Sequence, residues 1–107
     1  MFNLKLKKMK VNTQSVNFSA DVKLIEFIQR RMDKLDLFYD KIIQSDVYLK
    51  VENTSGKENK IFEAKLRVPG DSFVVKKQCK TFEEATDQAV EALRRQLKKQ
   101  KEKAMLQ

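Results

Sequence analysis

The sequence predicts an α+β fold in one domain: four strands and two helices in the order β-α-β-β-β-α, with one four-stranded sheet and both helices on one of its faces. Two patterns predict it. Apolar and polar residues alternate in several short segments, as in strands buried on one face, and two longer segments carry apolar residues at helical spacing. A chain of 107 residues, 41% of them hydrophobic, has the material for a single core.

The first strand is predicted over residues 10–16, where Val11 and Thr13 share one face. A helix follows over about 20–38, with Ser19 as its predicted cap and Asp21 in its first turn. Its apolar stripe consists of Val22, Ile25, Ile28, Met32 and Leu35.

Three further strands are predicted over residues 46–52, 62–68 and 73–79. A polar connection, residues 53–59, separates the first two, and Pro69-Gly70-Asp71 is typical of a tight turn between the last two. These short joints favour two consecutive hairpins, and therefore an antiparallel meander.

The second helix is predicted from residue 82 to about 101. Thr81 and Glu84 fit a capping box at its start. One apolar stripe is formed by Phe82, Ala85, Ala89, Leu93 and Leu97, with Val90 at its edge.

The composition argues against an enzyme and against a cofactor. The chain has no histidine, one cysteine and two glycines, so it lacks an imidazole base, a zinc ligand set and a glycine-rich phosphate loop. Asp33, Asp36 and Asp40 stand among basic residues and are interpreted as a solvated, salt-bridging face. Cys79 is predicted to be a small buried side chain in a reducing compartment, and with no membrane span or signal peptide we expect a cytoplasmic protein.

The net charge of +8 comes from the two ends of the chain. Residues 10–93 hold 14 Lys/Arg and 14 Asp/Glu and are therefore neutral. The surplus lies in Lys5, Lys7 and Lys8 and, against one Glu102, in Arg94, Arg95, Lys98, Lys99, Lys101 and Lys103. A cationic helix end on a neutral body indicates docking on a polyanion, first of all nucleic acid.

A simpler explanation of the basic helix end is that late cations complement the helix dipole. The dipole explains one or two charges rather than six, so we favour anion binding. On the first helix, Lys23, Arg30, Arg31 and Lys34 project away from the apolar stripe with Phe27 among them. Phe27 is a candidate for stacking on a base or ribose; alternatively, it packs against Phe38 or the N-terminal segment.

The chain resembles the ribosome hibernation promoting factors, also called ribosome-associated inhibitor or sigma-54 modulation proteins. The resemblance is carried by residues 62–70, 81–90 and 93–101, supported by 31–35 and 46–49, and it covers about 9–103. It suggests a domain over 9–103, a possible N-terminal extension over 1–8 and a short tail over 104–107.

The resemblance implies a protein that binds the 16S-type ribosomal RNA of the small subunit, in the cleft for messenger and transfer RNA, and inhibits translation in idle or stressed cells. It implies no cofactor, no small-molecule substrate, no membrane partner and a monomer off the ribosome. The family's basic and aromatic positions match Phe27, Arg31, Lys34, Arg94, Arg95, Lys98, Lys99 and Lys101.

Two other functions stay open. A generic module for double-stranded RNA shares the arrangement of helices on one sheet face and would bind free duplex RNA as tightly as ribosomes. A protein-interaction domain for an acidic partner would bind that protein in a salt-sensitive manner and would not bind RNA.

Overall fold

The fold is that of a computed structural model, which describes residues 10–52 and 56–105. The predicted element order is confirmed. The elements are β1 (Val11–Val16), α1 (Val22–Phe38), β2 (Gln44–Val51), β3 (Lys60–Val68), β4 (Asp71–Cys79) and α2 (Phe82–Met105). The predicted N-terminal extension lies outside the described residues.

The four strands form one sheet in the order β1-β2-β3-β4. The two predicted hairpins are present, since β2 and β3 are antiparallel and so are β3 and β4. β1 pairs parallel to β2, because α1 carries the chain back to the end of the sheet where β1 began. The sheet is therefore mixed.

Both helices pack on the same face of the sheet and share one core. Strand residues that point towards the helices, such as Phe62 and Leu66 of β3, are fully buried together with Ile28 of α1 and Leu93 of α2. The predicted stripe of α2 is confirmed: Phe82, Ala85, Ala89, Leu93 and Leu97 are all buried, with Val90 at 9% exposure.

The start of α1 differs from the sequence prediction. Asp21, not Ser19, is the N-cap: its backbone is extended and its carboxylate accepts the Leu24 N–H at 2.8 Å, so the helix begins at Val22. Val22 was expected in the core and is 70% exposed. A helical side chain points towards the N-terminus, and at the first position that direction leads past the end of the helix.

Several element ends also differ. Val51 closes β2 at the tip of its hairpin and is 39% exposed, although it continues the alternation of the buried Val47 and Leu49. α2 extends to Met105, past the predicted end near residue 101 and into the predicted tail. β3 and β4 each begin two residues earlier than the pattern indicated, because Lys60 already pairs with Val51 and Cys79, and Asp71 pairs with Val68 directly after the turn.

The ends of the elements are joined tightly. Pro69 and Gly70 link β3 to β4, and Gly70 has a φ of 80°, which the second central position of a type II turn requires. The Phe18 ring, between β1 and α1, stacks on the Phe82 ring at the start of α2, with centroids 5.4 Å apart. No helix in the described part of the chain is long and apolar enough to cross a membrane.

Candidate nucleic-acid interface

The six cations of the second half of α2 are displayed on the surface. The helix is fixed at its start, where the Thr81 hydroxyl accepts the Glu84 N–H at 3.1 Å, and along its buried stripe, which ends at Leu97. That stripe faces the sheet, and the cationic positions lie on the other sides of the helix. All six basic side chains are exposed: Arg94, Arg95, Lys98, Lys99, Lys101 and Lys103.

The basic residues of α1 lie on a neighbouring surface. Lys23, Arg30 and Lys34 are exposed, as the helical spacing predicted. Arg31 is different, because its side chain is only 34% exposed and reaches across to α2. The groups that contact one another between the helices form what we call the helix seam: Phe27, Arg31 and Phe38 of α1 with Asp87, Arg94 and Lys101 of α2.

The first contact group of the helix seam is centred on Arg31. Its guanidinium carbon lies 4.4 Å from the centre of the Phe27 ring, and its Nε donates to the Asp87 carboxylate at 2.7 Å. One face of the Phe27 ring is therefore covered by Arg31. Stacking on a nucleotide would have to use the other face of the ring.

The second contact group of the helix seam surrounds Phe38, at the end of α1. The Arg94 guanidinium lies 5.1 Å and the Lys101 ammonium 4.6 Å from the centre of its ring. Lys101 also donates to the Phe38 carbonyl oxygen at 3.3 Å. Both cations are thus held by an aromatic ring while they stay exposed to solvent.

The two helices run in the same direction. Contacts proceed from Arg31 with Asp87 to Phe38 with Arg94 and Lys101, so residue numbers rise together along both helices. Their C-terminal ends, which carry partial negative charge, therefore lie on the same side of the domain. Some of the cations offset these dipoles, but six on α2 exceed what one helix end needs.

Two members of the helix seam were missed by sequence reasoning. Phe38 lies 11 residues, or about three turns, after Phe27, and Asp87 lies seven residues before Arg94, so each shares a face with a recognised residue. The spacing could have shown that Phe38 and Asp87 lie on the same helix faces as Phe27 and Arg94. It could not have shown which residues of the other helix these faces contact.

The outer face of the sheet, which the helices leave open, is a weaker candidate. It carries the cations Lys50, Lys65, Arg67 and Lys76, all exposed. Lys65 stands directly opposite Asp46, and Lys76 directly opposite Glu63. The opposite charges reduce the electrostatic field of this face.

The remaining candidate groups of the sequence are Asp33, Asp36, Asp40 and the thiol of Cys79. Among the described residues, no cluster of histidine, cysteine, aspartate or glutamate is placed to hold a metal ion. Asp33 accepts a hydrogen bond from the Gln29 amide at 2.8 Å. Cys79 is buried as predicted, and burial, with Glu84 and Glu58 nearby, raises the pKa of its thiol.

The chain matches one known family over nearly its whole length. Residues 11–105 match the family model described as sigma 54 modulation protein / S30EA ribosomal protein. The chain belongs to this family. The match begins with β1 and ends with α2, so it includes every element of the fold and all the residues of the helix seam.

Individual known proteins are similar to this chain in sequence or in fold. The chain is 30% identical over 95 residues to the ribosome hibernation promoting factor of Pseudomonas putida KT2440, a match that covers 89% of each chain. Among solved structures it resembles a ribosomal subunit interface protein from Coxiella burnetii, with a TM-score of 0.75, 18% identity, and coverage of 85% of this chain and 96% of that one.

The N-terminal domain of Protein Y from Thermus thermophilus is similar as well, with a TM-score of 0.72 and 18% identity over 86% of this chain and 97% of that domain. At such identities the two solved structures support the fold alone, while the family model and the Pseudomonas relative establish the family.

Proposed function

We propose that this chain is a ribosome hibernation factor: it binds the 16S-type RNA of the small ribosomal subunit and occupies the cleft for messenger and transfer RNA. The folded body blocks the cleft and so inhibits translation in idle or stressed cells. The protein needs no cofactor and no turnover for this, and it acts in the cytoplasm as a monomer off the ribosome.

The observation that carries the proposal is the concentration of exposed cations on the second half of α2, next to a body (residues 10–93) that is neutral in net charge, with further exposed cations on α1. Lys23, Arg30 and Lys34 of α1 flank the helix seam on one side. On the other side are the six exposed cations of α2, with Glu102 among them. A rigid cationic surface of this kind suits a folded RNA, because the phosphates of a folded RNA also have fixed positions.

Membership of the S30EA family supports the ribosome as the source of that RNA. The Pseudomonas relative is named for ribosome hibernation, and its match runs over nearly all of both chains. Phosphate contacts alone do not distinguish one RNA from another, so selectivity for the ribosome would come from the shape of the cleft. The proposed residues of the interface are Lys23, Phe27, Arg30, Arg31, Lys34, Arg94, Arg95, Lys98, Lys99 and Lys101.

The two alternatives use the same exposed cations. A generic duplex-RNA module would bind RNA phosphates with them, and a protein-interaction domain would bind the carboxylates of an acidic partner. Co-sedimentation of the purified protein with ribosomes at near-physiological salt tests all three, with separated subunits and free duplex RNA as competitors. We expect stoichiometric binding to small subunits and whole ribosomes that excess duplex RNA does not compete away.

Loss of the protein to duplex RNA would contradict the proposal in favour of a general RNA binder. Absence of binding to ribosomes and to duplex RNA would contradict it in favour of a protein partner. A purified translation system then tests whether the cleft is blocked. The protein is added either before or after messenger RNA, and we expect weaker inhibition when messenger RNA already occupies the cleft.

A further inference from the structure

Asp87 places a negative charge on the surface that we propose to bind phosphates. By charge alone it opposes RNA binding, and its removal would be expected to strengthen that binding. Yet its carboxylate lies 2.7 Å from Nε of Arg31 on the other helix, as a member of the helix seam. The contact with Arg31 therefore gives Asp87 an effect on RNA binding that differs from simple repulsion of phosphates.

Arg31 is held from two directions. The Phe27 ring lies against the face of its guanidinium, and Asp87 binds its Nε edge. A guanidinium has five N–H donors in one plane, and the ion pair through Nε uses one of them. The four donors of the two terminal nitrogens form the fork that matches a phosphate.

We propose that Asp87 is a positioning residue that holds the Arg31 guanidinium on the Phe27 ring, so that the terminal nitrogens of Arg31 bind one RNA phosphate in a fixed orientation. This rests on the proposed function and adds a division of labour to it. A side chain that already has its bound orientation loses little freedom on binding. Asp87 therefore strengthens binding to an RNA whose phosphate lies at the right place, and weakens binding to any other RNA.

A purely structural role for Asp87 is a poor alternative. The two side chains are 34% and 53% exposed, and ion pairs with such access to water contribute little to folding stability. Asp87 also lies on the exposed side of α2, away from the buried stripe. Its replacement should leave the domain folded, which thermal unfolding of the variant checks.

The experiment compares Asp87→Ala with Glu91→Ala. Glu91 is an exposed carboxylate one turn further along the same helix, so both variants remove one negative charge from one surface and gain one alanine. Affinity is measured for purified small subunits and for a homopolymeric single-stranded RNA. We expect Asp87→Ala to bind small subunits about tenfold more weakly than wild type, as for the loss of one oriented charged hydrogen bond.

Glu91→Ala should bind small subunits at least as tightly as wild type. Both variants should bind the homopolymer as tightly as wild type or more tightly, since both are more positive. Asp87→Ala therefore has opposite effects on the two RNAs, which neither charge nor lost stability produces. The inference is overturned if Asp87→Ala binds small subunits as tightly as Glu91→Ala does.

Two further variants test whether Asp87 acts through Arg31. In an Arg31→Ala background, Asp87→Ala should cause no further loss of affinity for small subunits; a second tenfold loss would contradict the inference. Arg31→Lys keeps the charge but lacks the planar fork and Nε, and it should bind as weakly as Asp87→Ala.

The proposed function and this inference fail in different ways. If wild-type protein does not bind small subunits, the proposed function is wrong. If reversing the charges of Lys98 and Lys99 leaves that binding unchanged, the assigned surface is wrong. If both behave as proposed and Asp87→Ala matches Glu91→Ala, only the positioning role is wrong.

Discussion

The helical surface and the outer face of the sheet use the same kinds of residue and differ in how they are arranged. On the sheet, strand pairing sets Lys65 opposite Asp46 and Lys76 opposite Glu63. On the second half of α2, cations follow one another around the helix with Glu102 as their single acidic neighbour among residues 94–103. The two surfaces therefore differ both in the ratio of basic to acidic residues and in whether a cation stands opposite a carboxylate.

This difference has a physical consequence at a distance. Opposite charges a few ångströms apart cancel beyond the Debye length of about 8 Å in physiological salt, so the sheet attracts a polyanion weakly. Like charges on one helix add, so the second half of α2 attracts a polyanion more strongly than the sheet does. The helical surface should thus dominate both affinity and its dependence on salt.

The largest effect is expected from reversing charges on the helix. Lys98→Glu with Lys99→Glu should weaken binding to small subunits about 100-fold or more, because two attractive contacts become repulsive. Both side chains are exposed and lie off the buried stripe, so the variant should stay folded. Sedimentation or fluorescence titration at fixed salt measures the change.

Lys50→Glu with Arg67→Glu is the matched control on the sheet. Both residues are exposed, their partners across β3 or β2 are Ile61 and Gln44 rather than carboxylates, and the net charge falls by the same amount. We expect only a few-fold loss of affinity. A loss as large as that of the helix variant would show that net charge, and not the helical surface, determines binding.

A smaller effect is expected from neutralising the same two lysines. Lys98→Gln with Lys99→Gln removes two phosphate contacts, and the slope of log K against log salt should decrease in magnitude by about two. Affinity at near-physiological salt should fall about tenfold. A slope equal to that of wild type would mean that neither lysine contacts a phosphate.

A still smaller effect is expected at the helix seam. Phe38→Leu keeps an apolar side chain but removes the ring that holds Arg94 and Lys101, and such contacts contribute about 0.5–1 kcal/mol each when exposed. We expect binding to small subunits to weaken about threefold to tenfold. Leu37→Ala is the control, because Leu37 is 87% exposed and adjacent in sequence; equal losses in both variants would contradict a role for the ring.

Much of the fold could be predicted because its signals are local. Alternation marks Phe62 and Leu66 as buried, and helical spacing marks Leu93 and Leu97, without any knowledge of the partner element. The cap of α1 was wrong because Ser19 and Asp21 are both good caps two residues apart. The parallel pairing of β1 with β2 was not predicted, since it depends on how α1 returns the chain.

The candidate site divides in the same way. The exposure of Lys98 and Lys99 follows from their position relative to the core stripe of their own helix, and the sequence sufficed for it. The contacts of Phe38 with Arg94, and of Arg31 with Asp87, require the relative direction and offset of two helices packed together. No local pattern contains that information, although spacing does place each residue on the correct face.

Cys79 lies in the interior between the helices and the sheet. The smallest expected effect is its contribution to the pH dependence of folding stability. Its buried thiol has a pKa raised above the ordinary value of 9.0, chiefly by burial, with Glu84 and Glu58 adding to the effect. The folded state thus keeps the thiol proton to a higher pH than the unfolded chain. The related stability is present below pH 9.0 and is lost as the pH rises through the raised pKa. A Cys79→Ala variant should therefore lose less stability than wild type between about pH 8 and 10, as measured by urea unfolding at each pH.

Alkylation of Cys79 tests whether the two charge-reversal variants are folded. Slow alkylation in both variants should show that the interior is intact. Fast alkylation in the helix variant alone would mean that its weak binding results from unfolding, and the contrast between the helical surface and the sheet would be lost.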